Sequence, residues 1–405
     1  MPDNTIQSDC IIVGAGLVGT TLSVALSSKG LNVTLVEREK NDLDIEKDAR
    51  SLVLTSGTVT ILKNIGAWEV ISSLCTPIKE VRISEQDAFS RITLKASESG
   101  LDVLGYSCPA HKLLKNLREK SFSSRSLTFL DGAEFRSMQA TNSGIRAQIQ
   151  STSGPLTIEG KLLVGADGAN SEVRKAAGIA VATTPYSEVA WVCKVSVSNP
   201  SIGTAFERFT KFGVLAFIPV GGNEYISVYC LSESESGSIK DLNSDAYANL
   251  LQKNLGVGLG DIYAIGPRYS YPLMSQKAQC LSAERTLLLG NAANVVHPNA
   301  AQGLNLGIRD IANLTSLVDR NATDIGDKQV IARYTELRYK DHKVMHAFTD
   351  SLGGVFLSKM SVLISARRLA MFIVSRSVGL RRRIVASSTG LDGRFVKDRN
   401  YASDV

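Results

Sequence analysis

Cys10-Ile11-Ile12-Val13-Gly14-Ala15-Gly16-Leu17-Val18-Gly19 is an apolar run that breaks into G-x-G-x-x-G and then continues at helical spacing. Ile11 to Val13 are β-branched and uninterrupted, the pattern of a strand buried on both faces. Gly14 permits the tight turn out of that strand. Gly16 lets the backbone approach a pyrophosphate, and Gly19 lets the following helix pack close to the sheet. Leu17, Val18, Leu22, Ala25 and Leu26 fall on a helical repeat. The loop therefore opens a helix whose free N–H groups and dipole meet an anion, and Gly30 ends it as a C′ residue. Leu31 to Val36 predicts the second strand, with Glu37 at its end to accept hydrogen bonds from a ribose 2′-OH. With 33 glycines in the chain, the glycine spacing alone is weak. The strand before it, the helix after it and the acid beyond make it a dinucleotide site.

Working outward, residues 38–47 read as a polar loop, followed by Asp48-Ala49-Arg50. Thr55 and Ser56 are alternative caps for a helix ending near Gly66. Pro109 to Leu117 predicts a helix, and antiparallel strands are expected near 127–130, 145–149 and 155–158. Leu162-Leu163-Val164 leads into Gly165-Ala166-Asp167-Gly168-Ala169-Asn170-Ser171-Glu172-Val173-Arg174, again a strand, a glycine turn and a helix start. Residues 185–273 are strand-rich and predict a separate antiparallel sheet. Thr286 to Ala293 resumes the buried-strand pattern, so the domains are discontinuous. From about 331 onward the chain reads as helical.

A length of 405 residues with 44% hydrophobic and 21% charged residues fits a globular protein of two or three domains. Six scattered cysteines, no C-x-x-C and four histidines favour a reduced cytosolic protein without a zinc cluster. The N-terminus carries neither a signal core nor an Arg-rich transit pattern. The net charge of +6 sits in the tail: residues 351–405 hold ten Lys/Arg against three Asp. That distribution speaks against nucleic acid as a partner and for an anionic lipid surface or a protein partner. No span of 18 uncharged apolar residues exists. Lys359, Arg367, Arg368 and Arg376 point around the helix rather than along one face, so a simple amphipathic membrane helix is not demonstrated, and two shorter helices with snorkelling cations stay open.

The segments 14–19, 165–174 and 290–310 stand at the ends of predicted core strands, where ligands gather in open α/β sheets. Together they resemble the three fingerprints of the flavoprotein aromatic hydroxylases. Gly290-Asn291-Ala292-Ala293 and His297-Pro298-Asn299-Ala300-Ala301-Gln302-Gly303-Leu304-Asn305-Leu306-Gly307-Ile308-Arg309-Asp310 resemble the signature of the ubiquinone-biosynthesis hydroxylases within that family. Asp48-Ala49-Arg50, Ala205-Phe206-Glu207-Arg208-Phe209-Thr210, Tyr271-Pro272-Leu273 and Thr349-Asp350-Ser351-Leu352 extend the likeness over most of the chain. Ala301 stands where the family usually has Gly, Asn299 replaces an aliphatic residue, and Asn291 replaces Asp while keeping hydrogen-bonding capacity.

The resemblance implies an α/β protein (α+β overall). A Rossmann-like FAD-binding domain (residues 1–80, 101–184 and 274–330) would join an antiparallel-sheet substrate domain (81–100 and 185–273) and a basic helical region (331–405). It implies FAD as cofactor, NAD(P)H as co-substrate, and O2 and a prenylated phenol as reactants in ubiquinone biosynthesis. The protein would be cytoplasmic and peripheral on the inner face of the membrane, docked through its basic C-terminal region. Other ubiquinone-biosynthesis proteins are candidate partners. The implied cofactor residues are Gly14, Ala15, Gly16, Leu17, Val18, Gly19, Glu37, Arg38, Arg50, His111, Asp167, Gly290, Asn291, Gly303, Leu304 and Asn305.

Pro298 and Gln302 are the candidate catalytic residues of the loop, against a reading in which both only shape it. Arg50 is a flavin-edge or substrate-side cation, against a surface ion pair. His111 is a flavin contact or an ordinary surface residue. Asp310 and His297 read as structural residues. Phe206, Phe209, Leu215, Phe217 and Pro219 line an apolar route or form sheet core. The alternatives in function are a flavin hydroxylase of a soluble aromatic, a flavoprotein reductase, and a flavin-binding scaffold with impaired catalysis.

Overall fold

The computed structural model describes residues 5–40, 50–88, 91–256, 258–297, 302–318, 324–356 and 361–390. Its helices are α1 (Leu17–Ser28), α2 (Ser56–Asn64), α3 (Ala110–Phe122), α4 (Glu172–Ala176), α5 (Glu233–Lys240), α6 (Ser244–Leu255), α7 (Gln302–Leu317), α8 (Lys328–Phe356), α9 (Ser361–Arg376) and α10 (Val378–Thr389).

The nucleotide-type sheet has six strands in the order Ser282–Ala283, Thr286–Leu288, Leu162–Gly165, Cys10–Val13, Val33–Val36, Leu127–Leu130. The central ones pair in parallel. Ile11, Ile12, Leu35, Leu163 and Val164 are fully buried, as a parallel sheet covered on both faces requires. The helix α1 sinks into this core although it carries Thr20, Thr21, Ser23 and Ser27. Each hydroxyl donates to a carbonyl of α1 or of the loop before it, and Ser23 Oγ also meets Ser121 Oγ of α3 at 2.6 Å. Small polar residues satisfied this way let α1 and α3 approach closely.

The larger sheet is mostly antiparallel. Its strands run Asn294–Val295, Tyr269–Ala278, Val181–Val197, Glu224–Ser232, Gly213–Gly221, Thr204–Phe209, Glu80–Glu85, Arg91–Lys95. One face carries Trp191, Cys193, Phe206, Leu215, Phe217, Tyr225 and Tyr229, packed beneath Ile239 of α5 and Tyr247 and Leu251 of α6. The strand-rich pattern of 185–273 therefore contains two helices as well, capped by Ser232 and Asn243 side chains. Val181 pairs with Ala278, so the sheet runs a few residues past both expected limits of that segment. The opposite face, called the inner face below, meets Arg50 through Tyr271 and His297 through Glu188. At its Arg91–Lys95 end α9 and α10 cover it, with Met371 and Val385 against Ile92 and Leu94. No described helix is long and apolar enough to cross a membrane.

Candidate active site

The first motif adopts the geometry its glycines allow. Gly14 has φ +102°, and a Cβ there would lie 2.5 Å from the Ala166 carbonyl oxygen. A Cβ at Gly19 would lie 1.9 Å from the Gly14 oxygen. At Gly16 a Cβ would meet nothing within 4 Å. That open space faces the start of α1, where Gly16 is the N-cap and has no side chain to satisfy the first-turn N–H groups of Leu17 and Val18. A pyrophosphate fits such a cradle. Beside it, Glu37 Oε2 accepts from the Ala15 N–H at 2.8 Å. Arg118 of α3 donates to the Ala15 carbonyl through Nε at 3.2 Å and Nη2 at 2.9 Å. Sequence reasoning missed Arg118, since nothing in the helical pattern of 110–122 distinguishes it from a solvated cation. Arg38 is exposed next to Glu39.

The second motif brings a polar atom without a partner among the described residues. Asp167 Oδ2 accepts from the Val173 N–H at 3.1 Å, while Oδ1 is buried and makes no hydrogen bond with any described residue. Such an oxygen is costly unless a bound group supplies a donor. Ser171 caps α4. Arg174 reaches from α4 to the Ala292 carbonyl at 2.8 Å and thereby ties the second motif to the third.

The third motif is wedged onto α1. Gly290 has φ +57°, and Cβ atoms at Gly290 and Gly307 would lie 2.9 and 2.7 Å from Val18 Cγ2. Asn291 is exposed at the turn. The Gly290 N–H donates to Asp310 Oδ2 at 3.2 Å. Asp310 is fully buried and also binds Arg338 Nε and His342 Nε2, each at 2.7 Å. Burial works against its charge, but His342 and Arg338 hold its carboxyl down at about 2. His342 Nδ1 accepts from the Asn294 amide, and His346 Nε2 donates to Asn294 Oδ1 at 2.8 Å. This polar network fastens α8 beneath the turn. His297 is buried against the Tyr186 ring, with Nε2 3.4 Å from Glu188 Oε2.

The candidate catalytic residues separate. Pro298 lies outside the described residues, as do Asn299, Ala300, Ala301, Asp48 and Ala49. Gln302 is 2% exposed, and its amide donates to the Ser388 carbonyl of α10 at 3.1 Å. That is the geometry of a loop anchor. Arg50 is exposed, its guanidinium 5.8 Å from the centre of the Tyr271 ring. His111 is half-buried in the first turn of α3, and Gly303 and Leu304 are half-buried in α7. The Asn305 side chain accepts from Thr55 N–H and Thr58 Oγ1 and donates to the Val53 carbonyl. It thus ties α7 to the segment after Arg50. Phe206, Leu215 and Phe217 belong to the core under α5 and α6, which settles their role as sheet core.

A glycine loop, a half-buried acid with one oxygen lacking a donor among the described residues, and a third turn wedged on α1, all beside a second sheet, make up a site suited to a dinucleotide cofactor. The chain belongs to the FAD-binding-domain family, whose model matches residues 7–349. It is 31% identical over 389 residues to ubiquinone hydroxylase UbiL of Rhodospirillum rubrum, covering 95% of this chain and 90% of that one. It is 27% identical over 392 residues to 3-demethoxyubiquinol 3-hydroxylase of Escherichia coli, covering 95% and 99%. Among solved structures, p-nitrophenol 4-monooxygenase PnpA of Pseudomonas putida superposes with a TM-score of 0.78 at 17% identity, over 96% of this chain and 99% of that one. The protein is an FAD-dependent monooxygenase, of the class that draws its electrons from NAD(P)H.

Proposed function

We propose that this enzyme hydroxylates the aromatic ring of a prenylated phenol in ubiquinone biosynthesis. The likeness to relatives named as ubiquinone and demethoxyubiquinol hydroxylases supports the substrate class. The run Ala205 to Thr210 together with Asn291 resembles 2-octaprenyl-6-methoxyphenol hydroxylase within that group. The observation that carries the reading is the inner face of the large sheet. Ala190, Val192, Val214 and Cys230 are buried there, yet they belong to none of the hydrophobic cores formed by the described residues. Small apolar side chains beside the cofactor motifs suit a phenol ring and the start of an isoprenoid tail.

Bound FAD supplies the electron transfer and oxygen activation. In this reading Gly14, Ala15, Gly16, Leu17, Val18 and Gly19 hold the pyrophosphate, Glu37 and Arg38 lie at the ribose, and Arg118 braces the loop from behind. Asp167, Gly290, Asn291, Gly303, Leu304 and Asn305 surround the flavin side. Arg50 and His111 flank it, and Pro298 with the Gln302 backbone borders the reacting face. No acid–base triad is needed for oxygen transfer itself; the chain orients the ring and excludes water.

Membrane contact belongs to the same proposal. Leu369, Phe372 and Ile373 of α9 are exposed at helical spacing with Arg376, whose guanidinium lies over the Phe372 ring, a pairing that suits an anionic lipid surface.

Deleting the gene tests the substrate reading. The expected result is accumulation of a prenylated phenol that lacks the ring oxygen this enzyme adds. Unchanged ubiquinone in the deletion strain contradicts it.

A further inference from the structure

Glu207, a carboxylate on the inner face, has no partner among the described residues. Glu207 pairs across the sheet with Ala216 on one side and Ile83 on the other. The same row continues to Val228 and Val192. The neighbouring row is Val214, Cys230, Ala190 and Tyr271. Cross-strand partners share a face. The Glu207 carboxyl therefore points to the side on which Arg50 lies over Tyr271 and Glu188 meets His297. Its sequence neighbour Phe206 points the other way, into the core under α5 and α6.

Among the described residues, other charged groups on this face are engaged, Lys194 with Glu224 at 2.8 Å. Glu85, at the far end of the strand beside it, takes Arg367 Nη2 at 2.7 Å and Arg368 Nε at 3.1 Å from α9. Glu188 lies beside His297, and Arg50 beside Tyr271. Cys230, two strands away, keeps its proton, since burial together with Glu188 and Glu207 pushes its thiol up to about 12. Glu207 makes no hydrogen bond or ion pair with any described residue. It is half-buried by surface and closely surrounded at longer range, and burial pushes its carboxyl up to about 7. An acid in an apolar wall without a partner is costly, and the cost is explained by a proton donor that arrives with the substrate.

We propose that Glu207 is the catalytic base that takes the phenolic proton of the bound substrate. This rests on the phenol reading above. The phenol O–H bond breaks, the proton passes to a Glu207 carboxylate oxygen, and the electron pair stays on the phenol oxygen. That pair enriches the ring carbons ortho and para to it, where the enzyme's established chemistry delivers oxygen. The resulting dienone loses its C–H proton to solvent as the ring regains aromaticity, and its oxygen takes the proton back from Glu207. A carboxyl raised toward 7 lies closer to a phenol, near 10, than an ordinary acid does, which favours the transfer.

The test measures hydroxylated product from a short-chain prenylphenol across pH 7, using flavin-loaded wild type, Glu207→Gln and Glu207→Asp. Wild type should show a rate that rises through a limb near 7. Glu207→Gln should retain flavin, lose the limb and fall about 100-fold in kcat, recovering only as the phenol ionises by itself near 10. Glu207→Asp should restore the limb. A wild-type profile flat through 7, or flavin-loaded Glu207→Gln within a few-fold of wild type with the same limb, overturns the assignment. Wild type that oxidises NAD(P)H but leaves the prenylphenol unhydroxylated overturns the substrate reading, and this assignment with it.

Discussion

Two residues show how far single positions control the cofactor site. At Gly19 there is no room for a methyl group, because its Cβ would sit 1.9 Å from the Gly14 oxygen. Gly19→Ala should lose flavin on gel filtration and cost about 2 kcal/mol of stability; full flavin retention would contradict this. Asp310 works from underneath. Its folded pKa lies below the ordinary carboxylate value, so its share of stability, about 2 kcal/mol, is complete above pH about 4 and is lost as pH falls toward 2. Asp310→Asn leaves Arg338 and His342 buried without their shared carboxylate. It should cost about 3 kcal/mol in urea unfolding at neutral pH and flatten the acid limb of stability. Gly19 was legible from the sequence because its constraint is local. Asp310 was legible only as a structural pair, because its partners lie 28 and 32 residues away on α8, beyond any spacing rule.

Among the elements, the strands with β-branched runs and the helix starts with nearby caps were legible. The capping choice left open between Thr55 and Ser56 falls to Thr55, whose side chain accepts from the Thr58 N–H. The helices α5 and α6 were not legible, because Glu-Ser-Glu-Ser and Ala-Tyr-Ala-Asn segments between strong strands lack a long apolar stripe. The C-terminal helices show why counting charges was insufficient. Arg367 and Arg368 reach Glu85, and Arg381 reaches Glu98, so three of the tail's cations hold the helices to the sheet edge and to the turn that follows it. Cutting the chain near Thr349 would therefore remove core as well as charge. Phe372 and Ile373, 48% and 49% exposed, give a cleaner test. Phe372→Ser with Ile373→Ser should release the folded protein from anionic liposomes in sedimentation while bound flavin is unchanged; undiminished co-sedimentation would contradict membrane docking through α9.

For the whole molecule, three motifs spread over some 290 residues converge because α1 packs on two of them. Val18 fills the gap between Gly290 and Gly307, and Arg174 joins the second motif to the third. The inner face of the large sheet meets the segment after the third turn through Glu188 and His297, with α9 and α10 closing one end. The central claim is that this assembly spends NAD(P)H and O2 to place one oxygen atom on a prenylated phenol. The most direct measurement is mass spectrometry of the product formed by the purified flavoprotein from a prenylphenol, NAD(P)H and ¹⁸O-labelled O2. A product carrying one labelled oxygen, with NAD(P)H consumed in step, is the predicted result. Prenylphenol recovered unchanged, or hydroxylated with oxygen from water, would contradict the account.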